Sequence, residues 1–123
     1  MPFTQERDLL NWIIATAEAT GWQVFHVPAP MTAARGGGFV GSKRAAGLPD
    51  LFLLHDDPPR MIIAEVKGPN GKLSARQRQF LQLAREVAEY TAHIQLDYPI
   101  GVYAWTPADE PIIERILRSK TVT

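Results

Sequence analysis

The chain has 123 residues, 46% of them hydrophobic and 21% charged, with 13 Lys/Arg balanced by 13 Asp/Glu; this fits one folded domain over residues 1–123 and excludes disordered, collagen-like and mucin-like chains. The absence of cysteine excludes a disulfide scaffold, a cysteine zinc site, an iron–sulfur cluster and a cysteine nucleophile. No apolar run reaches the length of a membrane span, and Met1 to Asp8 lack the pattern of a secretory signal, so cytoplasmic placement without a membrane partner is expected.

Thr4 is placed to cap a first helix running to about Thr20, with Leu10, Ile13, Ile14 and Ala17 recurring at helical spacing and Gly21 ending it. Trp22 to Val27 reads as a strand. Pro28 to Gly47 holds two prolines, three consecutive glycines (Gly36, Gly37, Gly38) and the basic Arg35, Lys43 and Arg44, which predicts a long loop suited to phosphate contact. The apolar runs Leu51–Leu54 and Met61–Ala64 flank His55-Asp56-Asp57-Pro58-Pro59-Arg60 and predict a hairpin. Ser74 opens a helix to about Tyr90 whose inner stripe is Phe80, Leu81, Ala84, Val87 and Ala88. Gly101 to Trp105 is a last strand, and a short helix from about Pro111 to Leu117 closes the chain. Trp12, Trp22 and Trp105 are expected in the core. A sheet covered by helices is the economical packing for this order.

Charge is segregated along the neutral chain. Residues 35–78 hold eight Lys/Arg (35, 43, 44, 60, 67, 72, 76 and 78) against four Asp/Glu (50, 56, 57 and 65), leaving five against nine elsewhere. A local basic stretch of this kind fits a phosphate-binding face.

The chemistry concentrates in Gly47-Leu48-Pro49-Asp50 at the head of one hairpin strand and Glu65-Val66-Lys67 at the end of the next. With the turn centred between Asp57 and Pro58, Leu54 faces Met61 and Asp50 faces Glu65. Opposed residues on antiparallel strands have Cβ atoms roughly 4.5–5.5 Å apart, and like charges there repel unless a cation lies between them. Strand parity puts Glu65 and Lys67 on one face and Ala64 and Val66 on the other. Two carboxylates beside an ammonium suit Mg²⁺ or Mn²⁺. Solvated ion pairs on a surface hairpin are the alternative for these residues.

Gly47-Leu48-Pro49-Asp50-Leu51, Ile63-Ala64-Glu65-Val66-Lys67, Gly71-Lys72-Leu73-Ser74, Gln77 and Glu6 together resemble the VRR-NUC (virus-type replication and repair nuclease) family of the PD-(D/E)XK nuclease superfamily. The resemblance implies a restriction-endonuclease-like α/β core, a mixed central sheet flanked by helices in α-β-β-β-α-β order. It further implies that Asp50 and Glu65 ligate a metal with the backbone carbonyl of Val66, and that Lys67 positions or deprotonates the attacking water. Glu6, at the head of the first helix's inner stripe and directed inward, would contact metal or water; as a first-turn carboxylate it also suits the helix macrodipole. Gln77 would support the active site, and Ser74-Ala75-Arg76-Gln77 is also a capping-box pattern. Arg35, Lys43, Arg44, Lys72 and Arg76 are the expected DNA contacts.

The implied function is a Mg²⁺- or Mn²⁺-dependent DNA endonuclease acting on branched, flap or four-way-junction DNA in repair, recombination or phage replication, in a bacterial cell or phage-infected host. A non-catalytic DNA-binding or assembly module of the same fold is the alternative, and a restriction-type enzyme would need sequence-reading elements that are not evident here. Such nucleases are similar to junction-resolving enzymes that act in pairs, so a homodimer is expected, with Ile112, Ile113, Ile116 and Leu117 as candidate surface or as plain core. His26, His55 and His93 lack ligand spacing and read as structural or exposed.

Overall fold

The computed structural model describes residues 3–27, 47–94 and 99–120. Helix α1 (Glu6–Ala19) is followed by strands β1 (Gln23–His26), β2 (Leu51–Asp56) and β3 (Pro59–Val66), helix α2 (Ala75–His93), strand β4 (Ile100–Trp105), a 3-10 turn (Pro107–Asp109) and helix α3 (Glu110–Arg118). The strands lie in the order β1-β2-β3-β4, antiparallel except for the parallel β3–β4 pair. This is the mixed α/β sheet expected from the sequence. The long loop from 28 to 46, with Arg35, Lys43 and Arg44, lies outside the described residues.

The hairpin register is the expected one: Leu54 pairs with Met61 and Leu51 with Ala64. That alternation sends Leu51, Leu53, Ile62, Ala64 and Val66 into one core with Leu9, Ile13 and Ala17 of α1 and Ile113, Ile116 and Leu117 of α3. Trp22 and Trp105 are buried there, whereas Trp12 is half-buried at its margin. Trp22 also ties the chain's ends together, its Nε1 donating to the Leu117 carbonyl at 2.9 Å.

Several boundaries and faces differ from expectation. Gln5, not Thr4, occupies the N-cap of α1, and it makes no side-chain cap bond. At the other end Gly21 adopts φ +93°, and a Cβ there would come 2.9 Å from His55 Nε2, so both backbone conformation and space favour glycine. The buried line of α1 is Leu9, Ile13, Thr16 and Ala17, one position away from Leu10 and Ile14. On α2 only Leu81 is fully buried, and Val87 is 56% exposed, because this helix packs mainly along β4 at the sheet's edge. On α3, Ile113, Ile116 and Leu117 are core and only Ile112 is exposed, so this helix does not offer the apolar docking surface considered from the sequence.

Candidate active site

Asp50 stands immediately before β2, where the hairpin register brings it level with Glu65. Its backbone carbonyl accepts from Val27 N–H at 2.7 Å, and its Oδ2 accepts from Val66 N–H at 2.8 Å. The aspartate is thus clamped between the ends of β1 and β3. Gly47, three residues earlier, has φ +91°, and a Cβ there would meet the Arg76 Cβ at 2.7 Å. This close approach docks the Gly47-Leu48-Pro49-Asp50 segment onto the first turn of α2.

Glu65 is only 2% exposed, and among the described residues its Oε2 has no hydrogen-bond partner. A buried carboxylate oxygen left in that state is costly unless a proton or a cation compensates it. Burial, a hydrogen bond with Asp50 and the charge of Asp50 push the Glu65 carboxyl up to about 8, against the opposing pull of Lys67 and the Val66 backbone. The two carboxyls and the ammonium therefore share one site, as strand parity predicts. Without a metal, Glu65 retains its proton near neutral pH.

Lys67 follows the last residue of β3, its N–H donating to the Trp105 carbonyl at 2.9 Å. A turn then folds Gly71 back, with Gly71 N–H donating to the Gly68 carbonyl at 3.1 Å across Pro69 and Asn70. A Cβ on Gly71 would lie 3.0 Å from Lys67 Cβ and 3.3 Å from its Cδ. The bare glycine thus leaves room for the lysine stem. The sequence contains this glycine in its conspicuous motif, but only the folded turn shows what it touches.

Glu6 lies on the helix line of Leu9 and Ile13, yet it is exposed. The expectation that it points inward is corrected: it sits in the first turn of α1, past the covered part of the helix. Its backbone nonetheless borders the site's edge, since a Cβ on Gly68 would lie 3.6 Å from Glu6 N. Among the described residues no three His, Cys, Asp or Glu side chains converge as a metal cluster, so Glu6 does not join the Asp50–Glu65 pair. Gln77 completes the capping box of α2, its Oε1 accepting from Ser74 N–H at 2.8 Å and its N–H donating to Ser74 Oγ at 3.1 Å. Lys72 and Arg76 are exposed near this end of α2. Of the histidines, His55 is structural, with Nε2 on the Thr20 carbonyl at 3.1 Å and an edge contact to Trp22, whereas His26 and His93 are exposed.

The VRR-NUC domain model matches residues 5–95, well over half of the chain. The chain belongs to the VRR-NUC family. No curated protein and no solved structure matches it significantly. A VRR-NUC domain is a nuclease domain of the PD-(D/E)XK type, it binds DNA, and its superfamily generally uses divalent metals. The donor set here fits such an ion: two carboxyls in contact, one of them with an unpartnered buried oxygen, form a hard, anionic oxygen site. No helix among the described residues is long and apolar enough to cross a membrane.

Proposed function

We propose that this VRR-NUC chain is a divalent-metal-dependent DNA endonuclease selective for branched substrates such as flaps and four-way junctions. The observation that carries the reading is the Asp50–Glu65 pair with its unpartnered Oε2, set beside Lys67 where β3 ends. Asp50, Glu65 and the Val66 carbonyl would hold a Mg²⁺ or Mn²⁺ ion. When bound, such an ion supplies Lewis acidity toward a phosphoryl oxygen and makes water easier to deprotonate.

The chain's own residues do the rest. Val66 N–H fixes Asp50 so that its carboxylate does not swing into solvent. Lys67 orients the attacking water and stabilises the negative charge that develops as the phosphorus–oxygen bond forms. Glu6 stands at the rim as a further water contact, Gln77 keeps the start of α2 folded beside the site, and Lys72 and Arg76 meet the phosphate backbone together with Arg35, Lys43 and Arg44. A non-catalytic DNA-binding module would have no use for a buried carboxyl set against a second one, which is why cleavage is the preferred reading.

A homodimer would present two such sites to a substrate whose strands are related by approximate two-fold symmetry. The surface favoured for it is on α2, where Leu83, Val87, Tyr90 and Ile94 are exposed at the alternating three- and four-residue spacing of paired helices. Read from Phe80, the stripe is nearly symmetric about Val87. An antiparallel copy would set apolar residues against apolar residues.

The test is incubation of the purified protein with end-labelled single strands, duplexes, flaps and four-way junctions in Mg²⁺, Mn²⁺ or EDTA. Cleavage confined to the branched substrates and absent in EDTA supports the reading. Binding without cleavage in either metal would favour the non-catalytic module.

A further inference from the structure

A second concavity lies on the other side of the turn that seats Lys67. Phe3, Thr4, Pro69, Thr106, Pro107 and Ala108 line a largely apolar pocket of about 370 Å³, within the roughly 300–1,000 Å³ typical of small-ligand sites. None of these six side chains is charged. Its walls are held in place: the Phe3 ring leans on Trp12 with centroids 5.6 Å apart, and the 3-10 turn is fixed by Asp109 Oδ2, which accepts from Thr106 N–H at 2.9 Å and from Thr106 Oγ1 at 3.3 Å.

The pocket and the lysine share structure. One turn, closed by Gly71 N–H on the Gly68 carbonyl, presents Gly71 to the Lys67 stem and Pro69 to the pocket. Thr4 is two residues from Glu6, whose backbone borders Gly68. On the other side Lys67 N–H is bonded to the Trp105 carbonyl, and Thr106 comes next. The pocket and Lys67 thus share the turn after β3, and the end of β4 joins them on the other side.

We propose that the pocket receives one unpaired nucleobase adjoining the scissile phosphate, stacking it against Phe3, Pro69 and Pro107 with the hydroxyls of Thr4 and Thr106 at its edge. This inference rests on the nuclease reading and deepens it. An uncharged lining with proline and phenylalanine faces suits a base plane and not a phosphate, and stacking of this kind is indifferent to base identity. A base fully paired in a duplex cannot enter. Selection for unpaired nucleotides beside the cut thus follows from a built feature of the protein, without sequence reading.

The experiment fills the pocket. Ala108→Trp places a ring in it, and Ala108→Ser keeps it open as the control; circular dichroism verifies that both fold. Flap DNA carrying 2-aminopurine or an abasic site at each nucleotide around the branch is titrated in EDTA, with affinity read by anisotropy of a distant label. Wild type and Ala108→Ser are expected to change the fluorescence of one unpaired 2-aminopurine and to bind the abasic flap at that position about 10-fold more weakly. Ala108→Trp is expected to lose the signal and to treat base and abasic DNA alike. Equal affinity of wild type for base and abasic DNA at every position, or identical responses from wild type and Ala108→Trp, would overturn the proposal. If the protein binds no DNA at all, the nuclease reading fails separately. The pocket is then tested with adenosine 5′-monophosphate by amide chemical shifts: perturbation at Thr4, Thr106 and Ala108 retains a nucleobase site, and its absence removes it.

Discussion

Asp50 and Glu65 stand level across the hairpin register, each carboxyl in the other's field, while the N–H of Val66, the residue after the glutamate, holds the aspartate Oδ2 at 2.8 Å. The strand that carries one carboxyl thus fixes the other. Folding sets like charges together and leaves Glu65 Oε2 unpartnered, which costs stability wherever both groups are ionised and nothing lies between them.

This has a consequence for metal-free protein. The Glu65 carboxyl titrates at about 8 when folded, against an ordinary value of 4.5. Below pH 4.5 it is protonated in both folded and unfolded chains and carries no penalty. Between 4.5 and about 8 the unfolded chain has released a proton that the folded chain retains, so stability falls as pH rises. Glu65→Gln removes the effect. In EDTA this variant should match wild type near pH 4 and exceed it by roughly 2–4 kcal/mol at pH 8. Thermal melts at the two pH values check this; a variant less stable than wild type at both would indicate a structural role for the carboxylate.

Gly71→Ala should move the Lys67 stem, since the added methyl would lie 3.0 Å from its Cβ. The expected result is a fall in kcat of about 3- to 10-fold with KM and melting temperature little changed, in keeping with a slightly misplaced catalytic group. Single-turnover kinetics beside a melting curve separate this from general destabilisation.

The hairpin was legible because its signals were local and redundant: a turn-rich segment centred on Asp57-Pro58 between two apolar runs fixes a register, and the register brings Asp50 to Glu65. The capping box at Ser74 and Gln77 was legible for the same reason. What escaped the sequence depends on where elements stop. Val87 fits a helical stripe, but α2 lies at the sheet's edge and leaves it exposed. Glu6 is in line with buried residues, but it sits in the first turn of α1 and is exposed. The seat of Lys67 against Gly71 and the pocket beside Pro69 arise from a turn whose tertiary neighbours no periodicity encodes.

Replacing Arg35, Lys43 and Arg44 together by Ala should weaken binding to all DNA sequences and flatten the dependence of log K on log salt by roughly two to three units. Anisotropy titrations from 50 to 200 mM salt would measure it. An unaltered slope would place the phosphate contacts elsewhere on the protein.

Sedimentation equilibrium at micromolar concentration should give twice the chain mass of 13.7 kDa, reduced to the monomer by Val87→Glu through burial of like charges at the two-fold axis. A wild-type mass near 13.7 kDa, persisting with junction DNA, would contradict the homodimer, and a dimer unaffected by Val87→Glu would place its interface away from α2.

Metal-dependent cleavage at Asp50, Glu65 and Lys67 is checked by single-turnover assays on one flap and one four-way junction in Mg²⁺, Mn²⁺ and EDTA, comparing wild type with Asp50→Asn, Glu65→Gln and Lys67→Ala, each verified as folded by circular dichroism. Wild type is expected to cleave in at least one of the two metals and not in EDTA, with losses of at least about 100-fold in all three variants. Undiminished cleavage in EDTA, or wild-type rates from Lys67→Ala, would contradict it.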